Sequence, residues 1–232
     1  MRKFTSSTRN IGPKSSSLSG KFISKKQDSR IIQFESSLER DFLYLAEFNN
    51  DIVSFIDQPV KIIFLDSKRK KRVYTPDFFV EYRNSQKSSE IIEIKYSKDL
   101  HDNFNIYEEK FYHAQLYCQK NMLTFSVLTE KDIRDGNEEY LKNINFLFKY
   151  KDKLRRKETI FNQDKNIKIC LNLIQELRII KVCTINELIN RYDLKYSQKN
   201  DIASYIWFLI SNNYINSNLK ESLTKNSLIW VQ

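Results

Sequence analysis

The sequence predicts an α/β protein, in which a mixed β-sheet flanked by helices is followed by a smaller, mainly helical unit. Apolar residues change period along the chain, from helical spacing to short alternating or continuous runs and back. Hydrophobic residues make up 41% of the 232 and aromatic residues 13%, which suits one large core or two small ones. Only 3 Gly and 3 Pro occur, which excludes collagen-like, linker-like and glycine-cradle architectures. Neither GxxxxGK nor GxGxxG is present, so nucleotide-hydrolysing and dinucleotide-binding folds start at a disadvantage.

Residues 1–30 hold eight cations, Arg2 to Arg30, against one acid, Asp28. They read as a basic N-terminal arm, either a flexible leader or a segment that lies along a phosphate backbone. A helix begins near Ser36, where Ser36 and Glu39 form a capping-box pattern and Leu38, Phe42 and Leu45 share one face. Asn49-Asn50-Asp51 ends it. Strands follow over 52–56 and 60–65, broken at Gln58-Pro59. The turn Asp66 to Arg72 reads as a basic hairpin tip. Residues 73–82 resume the strand pattern, 84–89 form a polar turn, and 90–96 form another strand. Residues 103–120 carry a helical stripe through Phe104, Tyr107, Phe111 and Ala114, and 123–129 form a short strand of buried type.

The basic run at 149–157 marks the expected boundary. Residues 31–150 would form the first domain, 151–160 a basic linker, and 161–232 the second domain. In the latter, helices are expected over 166–177, 184–192 and 199–212. Thr184 and Glu187 make a second capping box, and strand pairs follow at 214–218 and 228–231. Three helices and a β-hairpin are the order of a winged helix-turn-helix. Trp207 and Trp230 are expected to anchor its core.

A net charge of +10 attracts a polyanion, either nucleic acid or an anionic membrane surface. Cys118, Cys170 and Cys183 are odd in number and scattered, with no CxxC pair, so neither disulfides nor zinc are expected. Reduced thiols, no apolar stretch after the initial charges and no membrane-spanning run fit a cytoplasmic protein.

The chemistry centres on Thr75-Pro76-Asp77-Phe78-Phe79-Val80 and Ile91-Ile92-Glu93-Ile94-Lys95. Glu93 and Lys95 are two apart on a strand and so share a face, opposite Ile92, Ile94 and Tyr96. Asp77 brings a second carboxylate to the same sheet. Two carboxylates suit a hydrated Mg²⁺, and an ammonium beside them suits phosphodiester hydrolysis. Taken alone, the trio also fits an ordinary ion pair on a half-exposed strand. Apolar flanks, a basic chain and the upstream helix bearing Glu39 favour a site. Glu39 itself fits a capping residue or a third acidic ligand.

The order Glu, Pro-Asp, Glu-x-Lys resembles the restriction-endonuclease-like PD-(D/E)xK superfamily. Ser36-Ser37-Leu38-Glu39, Gln58-Pro59, Thr75 to Val80, Glu93-Ile94-Lys95 and Phe125 to Ile133 more narrowly resemble TnsA, the endonuclease subunit of heteromeric cut-and-paste transposases. The resemblance spans about residues 33 to 135. It implies a restriction-endonuclease-like core, with Glu39, Asp77 and Glu93 as Mg²⁺ ligands and Lys95 as catalytic lysine. It also implies cleavage of double-stranded DNA at the 5′ ends of a mobile element, beside a partner transposase, TnsB, and an AAA+ regulator, TnsC. A bacterial protein, on the nucleoid when bound to DNA, follows. Some family members carry Gln at the third ligand position, so Glu93 is nearer the general superfamily pattern.

Lys68, Arg69, Lys70, Lys71 and Arg72 either grip DNA or keep a hairpin tip soluble. His113 reads as structural, Gln115 and Gln119 as an exposed polar face, and Ser97-Lys98 as a solvated strand end. Two other functions remain compatible with the sequence. One is a stand-alone restriction or repair nuclease, and the other is a winged-helix DNA-binding regulator with an inert acidic cluster.

Overall fold

The computed structural model describes residues 18–155, 160–196 and 201–231, and the chain divides into two compact units, Met1–Asp135 and Gly136–Gln232. The first unit opens with an antiparallel hairpin, β1 (Gly20–Ile23) on β2 (Ile31–Phe34). The arm expected over 1–30 is therefore folded from Gly20 onward, while residues 1–17 lie outside the described residues. The turn of this hairpin is organised by buried Glu47. Its carboxylate accepts from Ser24 Oγ at 2.7 Å and from the N–H groups of Lys25 and Lys26 at 3.1 and 2.7 Å. Lys26 in turn donates to the carbonyls of Ala46, Asn49 and Ile52 at 2.9, 2.5 and 2.8 Å. One of the eight leader cations is thus a helix C-terminal cap.

Close packing of the hairpin fixes one position. A Cβ at Gly20 would stand 2.6 Å from the ring of buried Phe34. Gly20→Ala is expected to cost about 1–3 kcal/mol by overpacking, seen as a lower urea midpoint at unchanged slope.

Helix α1 (Ser37–Phe48) starts where the capping pattern places it, with Ser36 Oγ accepting from Glu39 N–H at 3.1 Å. The reciprocal bond shifts by one residue, because Glu39 Oε2 accepts from Glu35 N–H at 2.8 Å. After α1 comes β3 (Ile52–Asp57), then a two-stranded ribbon of β4 (Ile62–Leu65) and β5 (Lys71–Tyr74). Strands β6 (Phe78–Tyr82), β7 (Glu90–Ile94) and β8 (Thr124–Leu128) complete a four-stranded sheet of order β3-β6-β7-β8. Its first two pairings are antiparallel and β7–β8 is parallel, so the sheet is mixed as expected.

The run expected as one strand over 73–82 is divided between the ribbon and the sheet. Pro76 has no N–H to give a ladder, and Asp77 lies in the gap. Strand β8 is half-exposed rather than buried, because among the described residues it is an edge strand next to β7. Helices α2 (Ser97–Asp102) and α3 (Phe104–Lys120) precede it, and α4 (Glu130–Ile133) follows. The sheet is packed on both faces. Phe78 meets Phe42 of α1 with ring centres 5.1 Å apart, while Phe79 and Ile91 cluster with Cys118 of α3 and Leu123.

In the second unit α5 (Glu138–Phe148) lies ahead of the basic run at 149–157, so the division falls at 135/136. The cause is packing within that unit. Phe146 of α5 meets Trp207 edge-on at 5.3 Å, and buried Asn143 donates to the carbonyls of Leu219 and Glu221. Helix α6 (Ile160–Ile180), strand β9 (Val182–Thr184) and helices α7 (Ile185–Tyr196) and α8 (Ile202–Ser211) follow. Strands β10 (Asn216–Ser217) and β11 (Leu228–Trp230) join β9 in an antiparallel sheet of order β10-β11-β9. The Thr184–Glu187 box forms reciprocally. Trp207 is buried as expected, but Trp230 is only partly so, because strand alternation turns its neighbour Ile229 inward. No helix among the described residues is long and apolar enough to cross a membrane.

Candidate active site

The segment between ribbon and sheet, together with the end of β7, gathers the trio singled out by the motif. Alternation along β6 and β7 gives Asp77 and Glu93 the same side as Phe79 and Ile91, the side covered by α3. Lys95 Nζ stands 2.6 Å from Glu93 Oε1 and 3.6 Å from Asp77 Oδ2, and donates to the carbonyl of Ile94 at 3.0 Å. Asp77 Oδ2 also accepts from Ile94 N–H at 2.7 Å, which fixes it across the strand gap. Its backbone carbonyl receives Gln58 N–H at 2.7 Å, where Gln58 adopts a left-handed φ of 44°. Tyr96 points the other way, its hydroxyl 2.9 Å from Ser37 Oγ on α1.

Burial differs within the trio. The side chain of Glu93 is 5% exposed, against 20% for Asp77 and 22% for Lys95. Burial raises the pKa of Asp77 well above the usual carboxylate range, with the charge of Glu93 adding to it and Lys95 opposing. Burial disfavours the ammonium of Lys95, yet the carboxylates of Asp77 and Glu93 outweigh it and hold the pKa above its ordinary value. The cluster therefore carries more carboxylate than its one lysine neutralises.

Glu39 lies within electrostatic reach of Asp77 and Lys95, and burial raises its pKa. Its oxygens are engaged at the helix start, by Glu35 N–H at 2.8 Å and Ser36 Oγ at 3.0 Å. Among the described residues no three His, Cys, Asp or Glu side chains converge as a ready metal cage. Asp77 and Glu93 remain as a two-carboxylate donor set, which suits a small hard cation that keeps most of its water.

Several neighbours carry no motif. Tyr74 donates its hydroxyl to Glu93 Oε2 at 2.7 Å. Tyr107 of α3 presents its ring 5.8 Å from Lys95 Nζ while its hydroxyl donates to Asp99 at 2.7 Å. Arg134 spans Asp41 and Ser37 of α1, at 2.8 and 3.0 Å. Ser97, expected as a solvated strand end, opens α2 and binds Glu130 of α4 through N–H and hydroxyl. His113 stacks on Phe64 at 4.3 Å, and Gln115 and Gln119 are exposed. The signal for Tyr74 and Tyr107 was weak but present: aromatic residues with a polar tip beside the acidic motif.

The five basic residues Lys68, Arg69, Lys70, Lys71 and Arg72 sit together, exposed, in the turn of the ribbon and at the start of β5. Asp66 shapes the turn by accepting from the N–H groups of Lys68 and Lys70 and from Arg72 Nε, all within 2.8–2.9 Å. Ser67 N–H donates to Glu109 of α3 at 2.6 Å, which pins the turn to the core helix. Arg72 is the member of the cluster with an ion pair among the described residues.

Residues 49–130 match the family described as TnsA-like endonuclease N terminal, a segment that contains the ribbon, Asp77, Glu93 and Lys95. No curated protein matches the chain.

Proposed function

Starting from a TnsA-like endonuclease domain at residues 49–130, we propose that this protein is a Mg²⁺-dependent DNA endonuclease that cuts the 5′ ends of a mobile element. The observation that carries the reading is the partly buried cluster of Asp77, Glu93 and Lys95, with a 2.6 Å ion pair inside an excess of carboxylate. Asp77 and Glu93 would hold the cation, and Glu39 would contribute a third negative group from α1. When bound, Mg²⁺ supplies an activated water and shields the phosphate charge. Lys95 stays protonated through the neutral range, so its ammonium can sit against the non-bridging oxygen where negative charge builds in the transition state. Asp77, fixed by Ile94 N–H, and Glu93 hold that ammonium in place.

The second unit, with three helices and a small antiparallel sheet, fits a winged-helix domain for DNA or partner binding. Partners on this reading are transposon-end DNA, the transposase TnsB and the AAA+ regulator TnsC. Purified protein should cut an end-bearing duplex only with Mg²⁺, and weakly until the partner transposase is present. Efficient cutting of any duplex without a partner would move the assignment to a stand-alone nuclease. No cutting under any combination would leave a DNA-binding regulator.

The ribbon tip is the proposed grip on the DNA backbone. Replacing Lys68, Arg69 and Lys70 together by Ala should weaken binding equally for all sequences. The salt dependence of log K should flatten by roughly one for each phosphate that the tip no longer neutralises, up to about three. An unchanged slope would assign the tip to solubility alone.

A further inference from the structure

Among the described residues, the hydroxyl of Tyr74 is the side-chain donor from outside the acidic motif that reaches Glu93. Glu93 is nearly sealed from solvent, and a buried carboxylate needs donors at both oxygens. One oxygen has Lys95 at 2.6 Å and the other has Tyr74 at 2.7 Å. Tyr74 is itself 5% exposed, and Ile62, Phe64, Phe111 and Ala114 enclose its ring. Its place on β5 is set by register opposite Ile62. A donor so enclosed has no freedom to follow Glu93 elsewhere, so it dictates where the carboxylate stands.

We infer that Tyr74 is a positioning residue that fixes Glu93 in the orientation in which it receives a divalent cation. The inference rests on the cation-dependent nuclease reading above, but it concerns the ligand and not the cleavage step. Hydrogen-bonded partners of this kind set the affinity of metal-binding carboxylates and histidines, typically by 10- to 100-fold. A purely structural tyrosine would change stability and leave cation affinity alone.

The test is calorimetric titration of the full-length chain with Mn²⁺ and with Mg²⁺. Wild type is compared with Tyr74→Phe and with Phe64→Leu, which loosens the same cluster but keeps the hydroxyl. Tyr74→Phe is expected to weaken Kd by roughly 10- to 100-fold, with the Mg²⁺ needed for half-maximal cleavage rising in parallel. Phe64→Leu should lose stability with Kd unchanged. An unaltered Kd in folded Tyr74→Phe, or equal weakening in both variants, overturns the inference.

Should Tyr74→Phe fail to fold, Glu93→Gln removes the charge it would strand, and the comparison moves to that background. There the added Tyr74→Phe change is expected to leave Kd where Glu93→Gln put it, and a further drop refutes the pairing. Absence of cleavage by wild type sinks the nuclease reading while this comparison still stands. A wild type that binds neither cation sinks the inference itself.

Discussion

Asp77→Asn protein is expected to bind end DNA as wild type does and to cut it roughly 1,000-fold more slowly or not at all. The magnitude follows from losing several kcal/mol of charge stabilisation at about 1.4 kcal/mol per tenfold in rate. Asparagine is the informative replacement because its side-chain oxygen can still accept the Ile94 N–H that Asp77 accepts at 2.7 Å. The strand gap should therefore keep its shape and only the charge is removed. Lys95→Met should give a loss of similar size, since Glu93 and Asp77 would then face each other without the ammonium. Gel-shift binding and single-turnover cleavage of a labelled transposon end, measured on the same preparation, separate the two effects. Wild-type cutting by Asp77→Asn would remove the cluster from the active site.

The second large effect is on stability as a function of pH. Burial and the neighbouring Glu93 raise the pKa of Asp77 in the folded protein above its value in the unfolded chain. A raised pKa means the folded state holds the proton more tightly. Stability from this group is then complete below the ordinary carboxylate pKa and is lost as pH rises through the elevated one. With a chelator present, the Tm of wild type relative to Asp77→Asn should fall as pH rises above the ordinary carboxylate range. On the proposed reading added Mg²⁺ would bind the ionised carboxylate, so its stabilising effect should grow as pH rises. It should vanish in Asp77→Asn. Differential scanning calorimetry with EDTA and with Mg²⁺ reads both. A Mg²⁺ increment independent of pH, or one that persists in the variant, contradicts a cation held at Asp77.

The acidic motif was legible because its chemistry is written at strand spacing. Glu93 and Lys95 two residues apart on an apolar strand imply a shared face, and the 2.6 Å ion pair lies on that face. The capping pattern at Ser36 and Glu39 was equally local, and so was the basic turn at 66–72. What escaped was whatever depended on short elements or distant contacts. Helices α2 and α4, of 6 and 4 residues, are too short to display a 3.6-residue period. Strands β1 and β9, of 4 and 3 residues, are comparably faint, and the first was hidden in a run rich in lysine and serine. Arg134 reaches Asp41 across 93 positions of sequence, and no spacing rule anticipates such a pairing. The domain boundary moved for a different reason. Charge at 149–157 stood out more strongly than the apolar face of α5, and packing follows the face.

The ribbon of β4 and β5 shares no ladder hydrogen bonds with the four-stranded sheet among the described residues, and its inner side chains pack into the core. Its outer face carries Ile63, Leu65 and Val73, each more than half exposed, and its turn is pinned by the side chain of Glu109. An element attached in this way can change the length and sequence of its turn while the strands that aim Asp77 and Glu93 stay as they are, because longer loops cost little entropy. On the proposed reading, drift at residues 66–70 would therefore alter the grip on DNA while the chemistry at Asp77 and Glu93 is inherited intact. Variation among relatives should concentrate there and fall away on either side, toward Ile62 and toward Tyr74.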